Sequence, residues 1–135
     1  MTQIRERLFV GSLQDAERLS RKNPNRIATV ISLSEDRVED KAADVQYVYL
    51  PIEDDEPVPT RQFNAVMDAI TANIRSSIVL VQCGMGISRA PTLTAAYMHS
   101  VGYKNFDAAI EEIRQVRPII NPSRILASSV KEHLG

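Results

Sequence analysis

The chain has no tryptophan, a single cysteine and only two histidines among its 135 residues. One cysteine excludes an internal disulfide, and so few histidines leave no zinc-type Cys/His cluster. Long hydrophobic runs are missing, so no stretch reaches membrane-spanning length. The opening "MTQIRERLFVG" carries charges where a signal peptide needs an apolar centre. Charge of one sign is not in excess either. Sixteen Lys and Arg face 17 Asp and Glu, for a net charge of −1. That leaves no overall basic field to draw nucleic acid or anionic lipid. Repeats and low-complexity tracts are absent. These absences lead to the expectation of a cytoplasmic monomer with no nucleic-acid or membrane partner.

What is present is ordinary for a globular protein, with 44% hydrophobic and 24% charged residues. The length suits one domain over residues 1–135, able to bury roughly two-thirds of its unfolded surface. "RLFVGS" reads as a short strand. Ser12 with Asp15 forms a capping box that opens a helix to about Lys22, with Leu13, Ala16 and Leu19 inward, stopped by "KNPN". "IATVISL" (27–33) and "VQYVYLPI" (45–52) read as strands. Thr60 caps a helix that places Phe63, Val66, Met67, Ile70 and Ile74 on one face. "IVLV" (78–81) is another buried strand, and a helix begins near Arg89, where Pro91 is tolerated in the first turn. Phe106, Ala109, Ile110, Ile113 and Val116 mark a further helix. Asn121 and Pro122 open the last one, with Ile125, Leu126, Ser129 and Val130 inward. The charged "SEDRVEDKAAD" reads as solvated surface.

Strands alternating with helices predict an α/β fold: a central, mostly parallel sheet with helices on both sides. Ligands in such sheets bind beyond the carboxyl ends of the strands. The lone Cys83 falls there, in "SSIVLVQCGMGISRAPTLTAAYM". Gly84 and Gly86 allow a loop whose N–H groups converge, and the following helix adds its unpaired N–H groups and the positive end of its dipole. Arg89 adds a fork suited to two phosphate oxygens. Such a cradle holds a tetrahedral oxyanion and favours a thiolate at Cys83, aligned for in-line attack on phosphorus. A cysteine kept only for packing needs none of these neighbours. A nucleotide-binding Walker loop is ruled out, since GxxxxGK[ST] does not occur.

The stretch "VQCGMGISRAPTLTAAYM" resembles the signature loop of the cysteine-dependent protein tyrosine phosphatases: His-Cys, five residues, Arg, then Ser or Thr. Nearly the whole chain resembles their small dual-specificity branch. "RLFVGSLQDA", "ATVISLS", "YVYLPIEDD" and "RPIINPS" follow in the family's order. The resemblance implies a protein tyrosine phosphatase-like fold and a phosphomonoester hydrolase that needs neither metal nor cofactor. Its substrates would be phosphotyrosine, and phosphoserine or phosphothreonine, in phosphorylated proteins. Cys83 would be the nucleophile and Arg89 the clamp. Gly84, Met85, Gly86, Ile87, Ser88 and Arg89 would bind phosphate. Asp54 would be the general acid, with Asp55 the adjacent competitor. Arg117 and Arg124 read as exposed helix-end arginines near the rim.

Two positions depart from the family pattern. Gln82 stands where the histidine is, which implies a less favoured thiolate and a pH optimum moved upward. Ala90 stands where a hydroxyl assists the thiolate as leaving group, which implies slow breakdown of the phosphocysteine. Both departures feed an alternative: a weakened pseudophosphatase that binds phosphate without turnover. Phosphoinositide or RNA 5′-phosphate substrates would call for more basic groups than "CGMGISR" supplies. A rhodanese-like sulfur carrier would leave the acidic loop unexplained.

Overall fold

Alternation along the central strands sets the two layers. In a computed structural model, which describes residues 1–135, the element order is β1 (Thr2–Arg5), β2 (Leu8–Ser12), α1 (Leu13–Arg18), β3 (Thr29–Ser32), β4 (Gln46–Tyr49), α2 (Thr60–Ile74), β5 (Val79–Cys83), α3 (Arg89–Ser100), α4 (Phe106–Val116) and α5 (Arg124–Leu134). The five strands form one sheet in the order β1-β2-β5-β3-β4. Only the β1–β2 pair is antiparallel. Central β5 is buried along its whole length, and its last residue pairs in register with Ser12 of β2.

Leu8, Val10, Ile31, Val79, Val81 and Cys83 point to one face, where they share a core with α2, α3, α4 and α5. Phe9, Val30 and Leu80 point to the other, covered by Ala16 and Leu19 and by Val38 and Val45 of the connecting loops. Helices therefore lie on both sides as the pattern predicts, though unequally: only the short α1 covers the second face. That asymmetry carries Cys83 onto the α3 side. No helix is long and apolar enough to cross a membrane.

The Ser12–Asp15 capping box forms, with Asp15 N–H donating to Ser12 Oγ at 3.1 Å and Ser12 N–H to Asp15 Oδ2 at 2.9 Å. Other expectations need correction. Helix α1 ends at Arg18, short of Lys22. The chain then turns around Asn23, whose side chain bonds both the N–H and the C=O of Ile27. Pro59, not Thr60, is the N-cap of α2; it leaves no side-chain cap but lends its carbonyl to Phe63 N–H at 2.9 Å. Ser123, not Asn121, caps α5. Val116 and Ile125 are exposed rather than inward. β1 was not predicted at all.

Candidate active site

β5 ends at Cys83 and α3 starts at Arg89, so six residues swing the chain from sheet to helix. Each loop carbonyl finds a partner on the outside. Gly84 O accepts from Leu13 N–H at 3.0 Å, Ile87 O from Asn121 N–H at 2.8 Å and Ser88 O from Thr92 N–H at 3.1 Å. Met85 O and Gly86 O accept from Arg117 NH2 at 3.3 Å and Nε at 2.9 Å. The N–H groups of Gly84, Met85, Gly86, Ile87 and Ser88 donate to no protein acceptor. Backbone amides carry C=O and N–H on opposite sides, so carbonyls fixed outward leave donors facing the concave side. The result is an anion nest closed by a helix N-terminus.

Gly86 makes this turn possible, since its φ is +68° and a Cβ there would stand 2.7 Å from the Gly11 backbone. Gly84 turns out not to be demanded in the same way: its φ is not positive, and an added Cβ would meet only Arg89 NH2 at an ordinary 3.5 Å.

Cys83 is 2% exposed, with its sulfur at the floor of a cleft of about 370 Å³. The cleft is lined by Asp54, Gly84, Met85, Ile87, Ser88, Arg89 and Asn121 besides the cysteine. Ala90 N–H donates to Cys83 Sγ at 3.3 Å. Helix α3 has no side-chain cap, so its first-turn donors stay available. Gln82 is fully buried and its Nε2 donates to the Cys83 carbonyl at 3.2 Å and to Ser34 Oγ at 3.3 Å. It thus anchors the cysteine backbone, without supplying a positive charge.

Ser88 Oγ donates to Asp54 Oδ1 at 2.7 Å and accepts from Ser123 N–H at 2.9 Å. Its hydroxyl is therefore committed to the acidic loop and the start of α5. Asp54 lines the cleft with Cys83. Asp55 takes a left-handed φ of 59° and its carboxylate instead accepts from Ser123 Oγ at 3.0 Å. The two neighbouring carboxylates face different partners.

Two participants were missed in the sequence. Arg117 is buried, not an exposed helix-end arginine; besides its two loop carbonyls it bonds Thr2 Oγ1 at 2.8 Å. Arg124 is exposed, as expected. Glu35, read as solvated surface, accepts from Arg89 NH1 at 2.8 Å. Its own main-chain N–H, and then Arg89, hold its carboxyl below the ordinary 4.5. The available signal was position: Glu35 follows β3, next to β5, at the carboxyl edge of the sheet.

A sheet-end cysteine in a nest of amides, with an arginine at the helix start, defines the class of cysteine-dependent phosphatase folds. The model of the dual specificity phosphatase catalytic domain matches residues 8–133, and the chain belongs to that family. Human dual specificity protein phosphatase 15 is 30% identical over 118 residues, which cover 86% of this chain and 40% of that protein. Dual specificity protein phosphatase 18 of Bos taurus is 30% identical over 128 residues, covering 91% and 66%. The chain thus spans less than two-thirds of the length of these curated relatives. The crystal structure of DUSP15 superposes with a TM-score of 0.84 at 28% identity, covering 99% of this chain and 84% of that one. The human tyrosine phosphatase-like serine/threonine/tyrosine-interacting protein shares the fold, with a TM-score of 0.85 at 22% identity over 98% of this chain and 94% of that one.

Proposed function

We propose that this chain hydrolyses phosphomonoesters in proteins, phosphotyrosine first and phosphoserine or phosphothreonine besides, through a phosphocysteine. The observation that carries this reading is the set of outward-bonded carbonyls from Gly84 to Ser88. It leaves five successive N–H groups free above the Cys83 sulfur.

In the first step the Cys83 thiolate attacks phosphorus, the P–O bond to the substrate breaks, and the leaving oxygen takes a proton from Asp54. The Gly84–Ser88 amides and the Arg89 guanidinium hold the three remaining oxygens and the charge they carry in the transition state. In the second step water attacks phosphorus and gives its proton to the Asp54 carboxylate. The P–S bond then breaks and the thiolate is restored, with Ala90 N–H donating to the sulfur. No side-chain hydroxyl stands at position 90 to assist it.

That last feature also favours the second reading, a phosphate-binding pseudophosphatase. Aryl phosphate turnover decides between them. Wild type is expected to hydrolyse the substrate, Cys83→Ser to show none, and Asp54→Asn to lose about 10²-fold or more in kcat. Wild type that binds oxyanion without turnover establishes the pseudophosphatase instead.

A further inference from the structure

Arg89 is held on one side only. Its NH1 donates to Glu35 Oε2 at 2.8 Å and to the Ile52 carbonyl at 3.3 Å, which occupies both NH1 hydrogens. A guanidinium is planar, so fixing one nitrogen by two bonds fixes the plane. What stays free is the Nε–NH2 edge, and NH2 lies beside the loop, 3.5 Å from where a Gly84 Cβ would stand. Two adjoining N–H groups on one edge make the bidentate grip that phosphate oxygens take.

Glu35 is itself anchored, although its carboxylate is 74% exposed. Its carbonyl accepts from the Tyr49 hydroxyl at 2.6 Å, and the Arg37 guanidinium stacks 3.8 Å over the Tyr49 ring. Its neighbour Ser34 meets Gln82, which bonds the Cys83 carbonyl. Adjacent residues at the end of β3 therefore reach the two halves of the site: one through Gln82 to the cysteine, the other directly to the arginine.

We propose that Glu35 is a positioning residue for Arg89, turning the free edge of the guanidinium into the bowl and so setting oxyanion affinity. The inference rests on the phosphate-binding reading of the bowl. Glu35 touches neither the sulfur nor the bound anion. Its negative charge works against an incoming phosphate, so its benefit is orientation. That separates the roles of its charge and its acceptor oxygen: alanine removes both, whereas glutamine keeps the acceptor and removes the charge.

The test uses the whole chain as wild type, Glu35→Ala and Glu35→Gln. Calorimetry gives the affinity for inorganic tungstate, a tetrahedral oxyanion, and steady-state kinetics give KM and kcat for an aryl phosphate. Glu35→Ala is expected to weaken tungstate binding about fivefold and to raise KM alike, with kcat changed by less than about twofold. Glu35→Gln should bind at least as tightly as wild type. Alanine binding like wild type, or both variants weakening equally, would overturn the proposal. A wild type that binds tungstate yet hydrolyses nothing defeats the hydrolase reading alone, and the affinities still judge Glu35.

Discussion

At the scale of single residues, the cysteine and arginine were legible because their spacing is local, while their supports were not. Arg117 reaches loop carbonyls 31 and 32 positions away. Glu35 meets Arg89 across 54 positions. Contacts of that separation leave no periodic trace, so both residues read as ordinary surface charge. The Ala90 departure was legible and keeps its meaning. The only other nearby hydroxyl, Ser88, is occupied with Asp54 and Ser123, so it does not stand in as a donor to the sulfur. Slow breakdown of the intermediate follows. Ala90→Ser is expected to raise kcat about tenfold, the worth of one hydrogen bond to a charged leaving group. Stopped assays at saturating aryl phosphate measure it, and an unchanged kcat contradicts it.

At the scale of elements, boundaries defined by side-chain chemistry were predicted and those defined by tertiary pairing were not. The Ser12–Asp15 box is a four-residue pattern and forms as read. Asn121 looked like a cap, but its N–H is spent on Ile87 O, and Ser123 takes the capping role. β1 escaped because "TQIR" is polar and half-buried; it is a strand only because β2 lies antiparallel beside it.

An ion cluster ties that edge strand to the helical layer, with Glu112 of α4 bonded to Arg5 and to Lys104. Burial pushes the Glu112 carboxyl up, but the bonds from Lys104 and Arg5 outweigh it and hold the group below its ordinary 4.5. A carboxyl lowered on folding contributes stability that is fully present above its unfolded value and lost as pH falls through the folded one. Glu112→Gln is therefore expected to melt below wild type at pH 7, with the gap closing under about pH 4. Melting curves across pH check this; a gap that persists in acid contradicts it.

At the scale of the whole molecule, alternation of buried strands and amphipathic helices was enough for the α/β class and the mostly parallel sheet. The order β1-β2-β5-β3-β4 was not readable, because β5 inserts between strands distant in sequence. Yet that insertion makes the site. It sets the end of β5 between β2 and β3, so Ser12, Gln82 and Ser34 surround the cysteine backbone. The unequal layers matter too: with four helices on its face, Cys83 opens toward the N-terminus of α3.

The central claim is that this sulfur, under its ring of free amides, takes up the phosphoryl group. Rapid quenching of wild type with an aryl phosphate, followed by peptide mass spectrometry under acid-stable conditions, tests it directly. The account predicts phosphate bonded to Cys83, accumulated during steady turnover. Turnover with no adduct on Cys83, or an adduct on another side chain, contradicts it.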